Sequence, residues 1–175
     1  IGGTTMKISH LHDIIWFVGL ILLQTLVLNR ISVFGVAMPI LYMYFLIKLP
    51  RNSNLFYVVI SGFSMGLIID IFLNTPGMNA AATTIVAALR KPLIDVFFSK
   101  VEYEDFVPSI YTGTGAFLRY IVVMVLLHQT LLFFIESFTF FNLTSTFIHI
   151  AASSVLTLIL IVALDSLMYR RTSGI

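Results

Sequence analysis

Long apolar runs, separated by only brief polar breaks, set the limits on what this chain can fold into. A helix that crosses a bilayer needs about 20 mostly apolar residues to cover about 30 Å of hydrocarbon. Six segments approach that standard: Ile14–Leu28, Val33–Leu49, Leu55–Leu73, Met78–Leu89, Ala116–Ile135 and Leu143–Met168. They are continuous, whereas membrane β-barrel strands alternate in segments of about ten residues. The sequence therefore predicts an all-α integral membrane protein, a bundle of six transmembrane helices.

Polar punctuation supports these limits. Asn29-Arg30 closes the first segment, Pro50-Arg51-Asn52 the second and Asn74-Thr75-Pro76-Gly77 the third, all residue types that favour turns. Pro39 is expected to kink the second helix, which neighbouring helices tolerate. The fourth segment is short, because Arg90-Lys91-Pro92 follows it. Two outcomes suit it. The helix continues past Pro92 with Arg90 and Lys91 snorkelling to the headgroups, or it stops and Pro92–Phe98 lies in the interface. The short helix is the expectation.

Composition excludes other classes. Hydrophobic residues make up 59% of the 175 and charged residues 10%, against roughly 25% charged in an average soluble domain. A net charge of +2, with no basic stripe, argues against nucleic acid as a partner. The chain has no cysteine, so disulfides, thiolate metal sites and cysteine nucleophiles are ruled out. Met6 reads as the native start and residues 1–5 as an appended remnant, leaving 6–175 as one membrane domain. No small-residue cleavage site closes the first run, so it reads as a retained span.

With six spans, Lys7, Lys48, Arg51, Arg90, Lys91, Lys100, Arg170 and Arg171 fall on one side and only Arg30 on the other. Arg119, in the first turns of the fifth span, can snorkel to the basic side. This asymmetry predicts cytoplasmic termini. The phenylalanines of the Glu136–Asn142 tip read as an interface anchor, and Asn142-Leu143-Thr144 as a chance glycosylation triplet.

Asp70 carries the most information. A carboxylate within the hydrocarbon must face protein or water, or be neutral. Gly62, Gly66 and Asp70 share one helix face at i, i+4 and i+8, a stripe that lets another helix approach closely. Asp70 could be a ligand or proton site, or a packing group that bonds the Asn74–Asn79 turn; its candidate partners are the start of the fourth span and His149, with His128-Gln129 deeper. Asn79 or Thr75 could cap the fourth helix beside that carboxylate. Ala80, Thr84 and Ala88 offer a further close-packing face. His128, His149 and Gln24 read as interhelical hydrogen-bonding groups, and two histidines with no third ligand make a weak metal site. Glu136 and Asp165 are expected to be solvated near span ends, and Tyr42 and Tyr44 to pack ordinarily. Ser153-Ser154 has no evident base, and no nucleophile elbow, phosphate loop or zinc-protease helix is present.

The segment Ser61–Arg90, with G-F-S-M-G-L-I-I-D-I-F-L-N-T-P-G-M-N-A-A-A at its centre, resembles the central motif of the MreD rod shape-determining family. Gly62, Gly66, Asp70 and Gly77 carry that likeness, with Asn74, Pro76, Asn79, Ala80 and Thr84 completing the turn and the small-residue helix. The resemblance implies a non-enzymatic subunit of the bacterial elongation machinery in the cytoplasmic membrane, without catalytic residues, cofactor or metal. It implies MreC as the direct partner, and links to MreB filaments and the RodA–PBP2 peptidoglycan synthase. It also implies a fold like the substrate-binding subunits of energy-coupling-factor vitamin transporters. The alternative is therefore a substrate-capture subunit, with Asp70, Asn79 and His149 lining an outward cavity.

Overall fold

The third segment folds as its sequence dictates. Asn54 accepts from the Phe56 main-chain N–H at 2.9 Å and so starts a helix that runs over Leu55–Leu73. Asn74, in the left-handed region at φ 55°, ends that helix, and Gly77, at φ 77°, starts the next. The computed structural model describes residues 3–30, 37–99, 105–136 and 143–172. Its α-helices are α1 (Gly3–Leu26), α2 (Met43–Lys48), α3 (Leu55–Leu73), α4 (Met78–Phe97), α5 (Thr114–Glu136) and α6 (Leu143–Thr172). Short 3-10 turns lie at Leu28–Arg30 and Ile110–Thr112, and no strand occurs among the described residues. Phe138, Phe140, Phe141 and Asn142 of the expected anchor and triplet lie outside the described residues, as do Lys100, Glu102 and Glu104.

Among the described residues, four stretches are long and apolar enough to cross a membrane: Leu11–Arg30, Leu55–Leu73, Thr114–Glu136 and Thr144–Met168. The pattern of exposure matches a lipid solvent. Phe56, Ile71, Val96 and Leu167 are each at least 65% exposed, whereas Asp70, Arg90, His128 and Asp165 are buried. In the chain order of packing, α3 lies on α4, α4 on α5 and α5 on α6.

The second apolar segment departs from expectation. Among its described residues it is not a kinked helix: Ala37–Leu41 is irregular and Met43–Lys48 alone is helical. Pro39 lacks an N–H and disfavours helix in the residue before it. Side chains take over the main-chain bonds. Met38 N donates to Ser153 Oγ at 3.0 Å and Ile40 N to Thr157 Oγ1 at 3.1 Å, both on α6. Gln24 of α1 accepts from Leu41 N at 2.8 Å and donates to the Pro39 carbonyl at 2.9 Å. Irregular backbone is tolerated at membrane depth only when protein surrounds it, and Pro39, Ile40 and Leu41 are buried.

The fourth segment also differs. α4 runs through Pro92 to Phe97; the carbonyl that Pro92 leaves without its helical donor belongs to the small, exposed Ala88. Arg90 does not snorkel. It is 1% exposed and turns inward to the carbonyls of Leu46, Leu49 and Pro50. Those are end carbonyls of α2 and the residues just past it, which a helix leaves without partners, and a cation is favoured there by the helix dipole. Lys91, by contrast, is exposed.

Candidate functional site

At one end of the bundle, α3 stops and α4 starts, and the Asp70 carboxylate fills the gap between them. Its Oδ1 accepts from Asn79 N at 3.0 Å, from Asn79 Nδ2 at 2.9 Å and from the Thr75 hydroxyl. Its Oδ2 accepts from Ala80 N at 2.8 Å. The Asp70 main-chain carbonyl accepts from the amides of Asn74 and Thr75. A carboxylate that satisfies the free amides of a helix start is favoured by both hydrogen bonding and the helix dipole. All these donors come from the turn or from α4. His149 is not one of them; it is half-buried with its ring 5.9 Å from that of Phe133.

The glycine stripe explains how α4 comes so near. A Cβ on Gly66 would lie 2.6 Å from the Ala80 Cα and from the Asn79 carbonyl oxygen. One on Gly62 would lie 2.9 Å from the Ala87 Cβ. Gly62 and Gly66 therefore face this chain's own α4 and are not open to another protein's helix. The expected Ala80–Thr84–Ala88 face is corrected as well: Ala80 is buried, Thr84 half-buried and Ala88 exposed. The buried row of α4 runs through Asn79, Thr83, Val86, Ala87 and Arg90. Thr84 bonds its own helix at the Ala80 carbonyl, 2.6 Å away. Asn74 and Pro76 are exposed at the turn.

A polar chain leads inward from Asp70. The Tyr42 hydroxyl donates to Asn79 Oδ1 at 3.1 Å, lies 3.3 Å from Thr83 Oγ1 and 3.0 Å from His128 Nε2. Thr83 and His128 are 3.2 Å apart. The broken segment, α4 and α5 are thus joined at one point, so Tyr42 is a hub and not ordinary packing. Its signal in the sequence was a tyrosine three residues past Pro39 within an apolar run, whose hydroxyl requires a partner once buried.

A second hub lies at the opposite end. Asp165 of α6 is not solvated: it is 2% exposed and takes Lys48 Nζ at 2.9 Å, the Tyr44 hydroxyl at 3.0 Å, Ser109 Oγ at 2.8 Å and Ile110 N at 2.9 Å. Lys48 also reaches the Pro108 carbonyl at 3.1 Å. Outside this hub, Arg51 pairs with Asp95 at 2.8 Å, and Asn52 bonds Asp105. An aspartate inside an apolar run, with a lysine at the end of another, was the clue to Asp165.

Two cavities complete the picture. One of about 280 Å³ sits near Asp165, with His12, Asp13, Trp16, Tyr44 and Lys48 in its wall. The other, of about 190 Å³, lies beside the Asn74 turn, with Gln24, Tyr42, Thr75, Asn79, Gln129 and Glu136 in its wall. Neither Asp70 nor His149 lines it. No group of three His, Asp or Glu close enough to hold a metal occurs among the described residues.

Fold and site together define, among the described residues, an all-helical chain with four membrane-length apolar helices and two buried aspartates held by hydrogen bonds. Comparison with protein-family models, curated proteins and solved structures found no match.

Proposed function

We propose that this chain is a non-enzymatic scaffold subunit of the MreD type, embedded in the bacterial cytoplasmic membrane and binding MreC. On this reading α1, the broken segment 37–48 and α3 to α6 make six crossings, in a bundle like that of energy-coupling-factor substrate-binding subunits. On this reading both termini lie in the cytoplasm, in keeping with the positive-inside asymmetry of the sequence. Through MreC, the subunit couples MreB filaments to the RodA–PBP2 synthase.

One observation carries the reading. The Ser61–Arg90 segment that bears the family likeness is a hairpin closed on itself at the turn, with Asp70 taking four donors from the turn and α4. Such a unit presents a rigid apolar exterior to other membrane helices. Apolar burial gives little drive in lipid, so docking there relies on packing and a few hydrogen bonds. Because Gly62 and Gly66 already hold α4, the partner's helix docks on another face.

Capture of MreC by the tagged chain after detergent extraction tests this. A monodisperse chain that leaves MreC behind overturns it, as does unaided turnover of a purified compound.

The cavity of about 190 Å³ favours a second reading, a substrate-capture subunit of a small-molecule transporter. A vitamin co-purifying with the chain, together with dependence on an ATPase partner, would replace the scaffold by it. Asp70 and His149 would then act outside the cavity wall, contrary to the sequence expectation.

A further inference from the structure

The cavity near Asp165 has two charges of opposite sign in its wall, each with bonding capacity to spare. Lys48 is one. Its ammonium has three N–H donors; Asp165 takes one and the Pro108 carbonyl another. The side chain is 26% exposed, so an incoming group can reach it. Asp13 of α1 is the other, half-buried in the same wall. Tyr57 lies beside it, and a carboxylate accepts several bonds.

Aromatic rings connect the two. Asp13 and Trp16 are three residues apart on α1 and share a face. The Trp16 ring lies 6.4 Å from that of Tyr44, and Lys48 Nζ lies 6.0 Å from the Tyr44 ring. His12, exposed in the same wall, accepts the Trp16 indole N–H at Nε2, 3.0 Å away. Its neutral ring therefore carries the proton on Nδ1, a further donor.

This wall selects its ligand by charge. A simple anion would meet Asp13 and a simple cation would meet Lys48, whereas a zwitterion satisfies both. A quaternary ammonium needs free aromatic faces, but Lys48 already stands over Tyr44. A primary ammonium has N–H groups to give to Asp13.

Depth identifies the source. The membrane-length stretch of α1 begins at Leu11, which sets Asp13 and Trp16 where headgroups meet hydrocarbon. Leu11, Ile14 and Ile15 beside them are each at least 59% exposed. At about 280 Å³ the space is below the roughly 300–1,000 Å³ of drug-sized pockets. It has room for a headgroup, with the acyl chains outside among those apolar side chains.

We propose that this cavity holds the headgroup of a primary-amine phospholipid, with its phosphate on Lys48 and its ammonium on Asp13. The site stands whether the chain scaffolds other proteins or carries a substrate.

The test uses the purified full chain in detergent, stripped of lipid and titrated separately with phosphatidylethanolamine, phosphatidylglycerol and phosphatidylcholine, with retained lipid read by native mass spectrometry. Phosphatidylethanolamine should bind saturably and at least about fivefold more tightly than either of the others, the scale of one partly exposed ion pair. Asp13→Asn should abolish its advantage over phosphatidylglycerol, and Lys48→Met should weaken both by about fivefold or more. Asp13 belongs to neither hub, so its variant keeps the question answerable if Lys48→Met does not fold. Equal retention of the three lipids overturns the proposal, as does an undiminished preference in Asp13→Asn. Soluble glycerophosphoethanolamine at equal concentration should not displace the lipid. Displacement would make the site one for a free zwitterion and overturn the lipid assignment.

Discussion

The Asp70 carboxylate of α3 holds the first turn of α4: its Oδ2 accepts the Ala80 main-chain N–H at 2.8 Å, while Oδ1 gathers Thr75 and Asn79. Every group facing it is a donor. Asp70→Asn keeps one acceptor oxygen and sets an NH₂ against another donor, a loss of about 1.5–3 kcal/mol. Asp70→Leu leaves several buried amides unpaired and should lose about 2 kcal/mol more. Thermal unfolding of the three proteins in one detergent reads the order. Equal failure of both variants to capture the proposed partner MreC, with folding intact in Asn, would mean that the negative charge itself is used.

Gly66 and Gly62 should respond differently to a methyl group. At Gly66 the new carbon meets main chain of Asn79 and Ala80, which cannot rotate away, whereas at Gly62 it meets chiefly the Ala87 side chain. Gly66→Ala should therefore destabilise by about 1–3 kcal/mol and Gly62→Ala by less. The double variant Gly62→Ala with Ala87→Gly should recover most of the smaller loss. Unfolding midpoints of the four proteins check this, and an equal response at both glycines would contradict the close approach at Ala80.

Arg90 should be needed for α2 and not for orientation. Its guanidinium serves the carbonyls of Leu46, Leu49 and Pro50. Arg90→Met strands those acceptors, at about 1–3 kcal/mol for each buried group left without a donor. Amide hydrogen exchange over Met43–Arg51 should accelerate, while Lys91→Met, an exposed change, should leave it unaltered. Similar exchange in both variants would return Arg90 to the headgroups.

Lys48 and Asp165 form a pair of unequal burial, with side chains 26% and 1% exposed. Removing Asp165 leaves Lys48 with the Pro108 carbonyl and frees Tyr44, Ser109 and Ile110 from their acceptor. Asp165→Leu should approach the roughly 3–5 kcal/mol of a broken buried pair. Lys48→Met should do less, because three other donors still face the carboxylate and solvent screens the amine. The double variant should lose less than the sum of the two. Additivity in unfolding measurements would mean that the two side chains act independently.

Some of this architecture was legible in the sequence. The bounds of α3, the Asn74–Gly77 turn and the meeting of Asp70 with the start of α4 follow from local chemistry: a capping asparagine, turn residues and a carboxylate near free amides. The break at 37–42 was not legible, because hydropathy measures side chains and is blind to where main-chain amides find partners. Those partners, Ser153 and Thr157, lie 115 and 117 residues further on. The inward turn of Arg90 was hidden for a related reason. A cation at the edge of an apolar run reads as a surface charge until the end of another helix is placed beside it. Asp165 was misplaced likewise, since its ligands come from Tyr44, Lys48 and a distant loop.

Synthesis proceeds from the amino end, yet the amides of Met38 and Ile40 obtain their acceptors only from α6. A nascent chain halted before Ser153 would hold an unsheltered peptide backbone that hydrocarbon rejects. The early part of the molecule must therefore wait, at the translocon or in the headgroup layer, until the ribosome has delivered the final helix.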